Sequence, residues 1–78
     1  MENTEERLVK VFQTVFPDMS EEQIRAATQS TVASWDSVAA ITLMNVMEEE
    51  FGITIDFDKA AELTSFQEVL GYLQTEFV

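Results

Sequence analysis

The sequence predicts an all-α fold, a small bundle of three long helices plus one short helix. Two observations carry this. Three stretches space their apolar residues at the 3.6-residue period of a helix. Each stretch also opens with a residue type that caps helices. Only Ile53-Thr54-Ile55 alternates like a strand, and no second strand is evident to pair with it. Amphipathic helices with no sheet to cover must bury their stripes against one another.

The first helix is expected over about residues 4–16. Asn3 or Thr4 can cap it, with Glu6 three residues after Asn3 in capping-box register. Leu8, Val11, Phe12, Val15 and Phe16 form its stripe, and Arg7 and Lys10 lie away from it. Pro17 ends it, because the residue before a proline disfavours the helical region. Residues 17–36 form a long connection, of a length that is uncommon without a function. Within it, Ser20-Glu21-Glu22-Gln23 reads as a capping box opening a short turn of helix through about Ala26. Thr28-Gln29-Ser30-Thr31 reads as loop, with Val32 as its anchor to the core. Trp35 precedes the next cap and is placed to staple onto that helix near Ala40.

The second long helix is expected over about 37–51, and both its ends are marked. Asp36 is the N-cap, and Gly52 is a left-handed C-cap. Ala40, Leu43, Met44, Met47 and Phe51 form its buried stripe. Ile53-Thr54-Ile55 is an extended link whose isoleucines turn inward, and Asp56 or Asp58 caps a short helix over about 58–62. Thr64-Ser65-Phe66-Gln67 repeats the capping-box pattern and starts the last helix, about 65–76, with Phe66, Val69, Leu70, Leu73 and Phe77 inward. Gly71 falls opposite that stripe.

Composition narrows the function. Seventy-eight residues make a single domain, 1–78, with a lean core and little room for an enclosed active site. There is no histidine and no cysteine, which removes the commonest general base and metal ligand and any disulfide. No apolar run approaches the length of a membrane span, and the acidic start has the wrong sign for a leader peptide. A cytoplasmic monomer is the expectation. Fifteen acidic residues against four basic ones give a net charge of −11. Nucleic acid and anionic lipid are repelled by such a surface, and partners with basic patches are drawn to it.

Ser37 falls at the first position of the second long helix. Unpaired N–H groups and the positive end of the helix dipole lie there, so a phosphodiester on its hydroxyl is tolerated or stabilised. The simpler reading is a helix-start serine beside its cap. The dipeptide does not decide between them.

The wider pattern does. The triplet Asp36-Ser37-Val38 opens the second long helix, and Glu48-Glu49-Glu50-Phe51-Gly52-Ile53 closes it. With the acidic charge, the length and the helix order, this resembles the acyl carrier protein family, most closely over about residues 34–56. The resemblance implies a 4′-phosphopantetheine arm on Ser37, added from coenzyme A by a separate phosphopantetheinyl transferase. The arm's thiol would carry an acyl or aminoacyl thioester between enzymes, and the chain itself would not be an enzyme.

The resemblance also implies partners with basic docking patches: a loading ligase and a downstream synthase or transferase, in fatty-acid, polyketide or related biosynthesis. Asp36, Val38, Ile41, Asn45, Glu48 and Glu49 are the expected partner-binding face. Val38 stands where leucine is usual, Thr42 and Asn45 replace an acid and an apolar contact, and the proline common after the Gly-Ile stretch is missing. Trp35 before the aspartate resembles stand-alone carriers outside housekeeping fatty-acid synthesis. An aminoacyl or D-alanyl carrier therefore stays open, as does an unmodified acidic helical adaptor. Asp56-Phe57-Asp58 begins like a calcium loop but lacks the later ligands and the central glycine.

Overall fold

The computed structural model describes residues 3–76. They form five helices: α1 Thr4–Val15, α2 Glu21–Arg25, α3 Ser37–Phe51, α4 Phe57–Ala60 and α5 Phe66–Glu76. The three long helices and the short α4 are those the sequence predicts, and the turn expected after Ser20 is α2. Phe77 lies outside the described residues.

Local chemistry sets most of the boundaries. The Asn3 side chain accepts from the Glu6 N–H at 2.8 Å, so Asn3 and not Thr4 is the cap of α1. Ser20 and Gln23 make both halves of the capping box of α2. Gly52 closes α3 at φ 65°, ψ 38°, and both its N–H and that of Ile53 return to the Glu48 carbonyl. Two starts differ by one residue from the sequence reading. In α4, Asp56 holds the cap position without a side-chain bond. Before α5, the side-chain cap is Ser65 with Glu68 rather than Thr64 with Gln67. The Ser65 Oγ accepts from the Glu68 N–H at 3.1 Å, and the Glu68 carboxylate accepts from Thr64 at 2.8 Å. A carboxylate that takes two hydroxyls outcompetes a neutral amide for this role. Gln67 reaches instead to the Arg25 carbonyl.

The bundle closes around α1, which packs against α2, α3 and α5. This burial on several sides explains Val9, which lies off the predicted stripe and is nevertheless buried with Leu8, Val11 and Phe12. Phe12 is the hub. Its ring meets Phe66 edge-on at 5.2 Å and Trp35 edge-on at 5.4 Å, and Phe16 lies tilted at 6.2 Å. Trp35 is therefore a core residue whose aromatic partners are Phe12 of α1 and Phe16, the C-cap of that helix. Val32 packs against the core as expected, and its carbonyl accepts from the Trp35 N–H. The loop also gains a short antiparallel bridge at Thr28 and Ser65, sealed by Gln29 N–H to Thr64 O and Phe66 N–H to Ala27 O.

Arg7 ties α1 to the end of α3. Its guanidinium donates to the Glu50 carbonyl at 2.6 Å, pairs with the Glu50 carboxylate at 3.1 Å and lies over the Phe51 ring. With no basic residue in its own last turn, α3 receives its C-terminal cation from α1.

The two glycines predict opposite effects. Gly52 needs its left-handed backbone, so Gly52→Ala lowers stability by about 1 kcal/mol although the space around it is open. Gly71 lies within α5 with ordinary backbone and open space, so Gly71→Ala raises stability by about 1 kcal/mol. Urea midpoints of the two variants check both signs.

Candidate functional site

Trp35-Asp36-Ser37-Val38 turns the chain from core to surface within four residues. Trp35 is buried, while Asp36, Ser37 and Val38 are all exposed. Asp36 has extended backbone, and its Oδ1 accepts from the Ala39 N–H at 2.9 Å. Its carbonyl takes the Ala40 N–H. The amides of Ser37 and Val38 are thus the ones left at the helix start, and the Ser37 hydroxyl stands beside them.

Ser37 also opens onto a cleft of about 410 Å³. One wall is α3, with Ile41, Met44 and Asn45 following Ser37 along the helix. The other wall is the link and α4, with Ile55, Phe57 and Ala60. The lining is mostly apolar, and no basic side chain contributes to it. Arg7, Arg25 and Lys59 are ion-paired elsewhere on the molecule, and Lys10 is engaged too. Asp36, Glu49, Asp56 and Asp58 are all exposed, and none is in an ion pair among the described residues.

The structure divides the face expected from the sequence. Ser37, Ile41, Asn45 and Glu48 line the cleft together. Val38 is 73% exposed and lies outside it, as does Glu49. Glu48 differs from a solvated acid. It is half-buried, and its Oε2 accepts from the Ile55 N–H at 2.7 Å, because the turn at Gly52 brings the link back over the last turns of α3. Of the three consecutive glutamates, Glu50 is paired with Arg7, and only Glu49 has no partner among the described residues.

Phe57 is the residue the sequence reading passed over. It is 77% exposed and lines the cleft opposite α3. Its flanking aspartates gave no signal, since Leu63 beside Glu62 and Val69 beside Glu68 are buried.

The small helical bundle pins the residue before a cap in its core and so holds a serine hydroxyl outward beside an apolar cleft. Residues 7–73 match the family described as "Phosphopantetheine attachment site", and the chain belongs to that family. The family holds 4′-phosphopantetheine covalently on a serine, for handling by a phosphopantetheinyl transferase and by partner enzymes. No curated protein matches the chain. The residues at Ser37 would fit such a group: the start of α3 leaves amides that could take a phosphodiester, and the adjoining groove is apolar. Among the described residues no helix is long and apolar enough to cross a membrane.

Proposed function

We propose that Ser37 carries the 4′-phosphopantetheine arm and that the chain is an acyl carrier protein, serving fatty-acid, polyketide or related biosynthesis. When bound, the arm supplies a terminal thiol on which the cargo rides as a thioester, and a chain without cysteine offers no rival thiol. The observation that carries the reading is the exposed Ser37 at the start of α3, opening onto an apolar cleft with no basic lining. Such a cleft favours hydrocarbon cargo, since each methylene buried contributes about 0.8 kcal/mol. An aminoacyl cargo brings an ammonium group that loses hydration there. In this reading residues 1–78 act as one cytoplasmic, monomeric carrier unit with no catalysis of its own. It is loaded by a ligase and unloaded by a synthase or transferase. At a net charge of −11 the chain avoids nucleic acid and anionic membranes.

The test incubates the protein with coenzyme A and a broad-specificity phosphopantetheinyl transferase and reads the intact mass. One phosphopantetheine per chain is expected. An unchanged mass favours the unmodified adaptor. The loaded protein then separates the cargo classes. Acyl chains of rising length should raise the melting temperature stepwise, whereas a D-alanyl cargo should leave it unchanged. The opposite ranking overturns the acyl assignment.

Docking of the transferase is assigned to Asp36, Val38, Ile41, Asn45 and Glu49, with Glu48 at the far end of the same face. Exposed charge acts mainly on the encounter rate and weakens as salt rises. Glu49 is unpaired and opposes the dipole at the end of α3. Glu49→Lys should therefore slow loading at low salt, flatten its salt dependence and leave the melting temperature level or higher. Equal rates for the two proteins across a salt series would remove Glu49 from the docking face. Glu48→Lys does not share the stability gain, because it breaks the bond to Ile55.

A further inference from the structure

The second wall of the Ser37 cleft is anchored by Ile55 and Leu63 in the core and by Ala60 against it, and has few polar ties to the rest of the bundle. From Thr54 to Leu63 the backbone bonds of the link and α4 are local, Ala60 to Asp56, Ala61 to Phe57, Glu62 to Lys59 and Leu63 to Ala60. No residue of α4 is buried, and Asp56 gives it no side-chain cap. Lys59 lies over the half-buried Tyr72 ring at 5.3 Å. Among the described residues, the one hydrogen bond from residues 54–63 to α3 runs from the Ile55 N–H to the Glu48 carboxylate at 2.7 Å. It is short and charge-assisted, and Ile55 beside it is buried at the base of the cleft.

Glu48 occupies a second position at the same time. It follows Ser37, Ile41 and Asn45 on the side of α3 that faces outward into the cleft, one residue from the unpaired Glu49. A partner cation drawn to this acidic end meets a carboxylate already committed to the cleft wall.

We infer that Glu48 is a latch: its bond to the Ile55 amide holds the cleft wall against α3, and a cation that engages the carboxylate releases the wall. Docking and cleft opening are then one event, coupled through a single side chain. A guanidinium that pairs with Glu48 competes for the oxygen that Ile55 uses, so the ligand binds the open wall better than the closed one. Differential affinity of that kind shifts an equilibrium. The latch itself is a property of the bare chain. Its use during docking rests on the carrier reading above.

Amide hydrogen exchange tests it on the full chain without arm or transferase. In Glu48→Ala the Ile55 amide should exchange at least about tenfold faster than in the parent, the loss expected for a buried bond to a charged acceptor. Glu49→Ala should leave it unchanged. The amides of Leu8 and Phe12 in α1 report global stability; in the parent the Ile55 amide should exchange faster than these and be insensitive to low urea, which speeds only exchange through global unfolding. Tetra-arginine is then added until the Glu49 amide shift saturates. In the parent the Ile55 amide should speed up in step, and in Glu48→Ala it should not respond. An Ile55 rate equal in parent and Glu48→Ala, or an Ile55 amide that tracks Leu8 and Phe12 through low urea, overturns the latch. A saturated Glu49 shift with an unchanged or slowed Ile55 overturns the coupling. Failure of the carrier reading shows separately, as a chain that gains no mass with transferase and coenzyme A.

Discussion

Ser37→Ala should gain no phosphopantetheine while melting almost as the parent does. The chain has five serines, and the structure separates them. Ser20 accepts from the Gln23 N–H, Ser65 is bonded twice to Glu68, and Ser30 is bonded to Thr28, so these hydroxyls are committed. Ser34 is exposed but precedes the buried Trp35, away from the helix start. Ser37 alone joins an exposed hydroxyl to the start of a long helix. Removing that oxygen leaves the Asp36 cap in place, because the cap bond runs to Ala39. The stability change should stay within about 0.5 kcal/mol, the usual range for surface substitutions. Intact mass after transferase treatment and a thermal melt together read the outcome. Mass gain in the variant would move the attachment to another residue, and Ser34 would be the first to examine.

Sequence legibility followed the range of the forces involved. Both ends of α3 could be read because each is set by neighbours within four residues: Asp36 reaching Ala39, and Gly52 taking the left-handed turn. The start of α5 was blurred because two capping-box patterns overlap, Thr64 with Gln67 and Ser65 with Glu68. Only the shared carboxylate of Glu68, seen in three dimensions, decides between them. That Ser37, Ile41 and Asn45 share one side of α3 was legible from helical spacing, whereas the choice of Ser37 came from the family resemblance. Glu48 and Phe57 were not. Their roles depend on how the chain folds back after Gly52, which sets Ile55 over one and places the other across the cleft. Trp35 was half legible. A large aromatic before a cap must pack somewhere, but its place against Phe12 and Phe16 is a long-range choice.

That choice makes Trp35 the residue whose loss should do most damage. It is 3% exposed, edge-on to Phe12 and tilted against Phe16. Trp35→Ala removes the whole ring and its aromatic contacts, at about 3–5 kcal/mol. A domain of this size rarely holds more than about 3–5 kcal/mol in total. The variant should therefore be largely unfolded at room temperature, with Asp36 no longer presented as a cap and the mass gain greatly slowed. Trp35→Phe separates packing from the indole. The Trp35 Nε1–H is buried with no hydrogen-bond partner, a loss of about 1–3 kcal/mol relative to hydration that phenylalanine does not incur. The smaller ring leaves a cavity that works in the other direction. These two effects oppose each other, so Trp35→Phe should melt cooperatively, within about 1.5 kcal/mol of the parent, and be modified at the parental rate. Far-UV circular dichroism melts and intact mass read both variants. A cooperative melt of Trp35→Ala close to the parent's would mean that the aromatic cluster around Phe12 does not hold the segment before Ser37 in place.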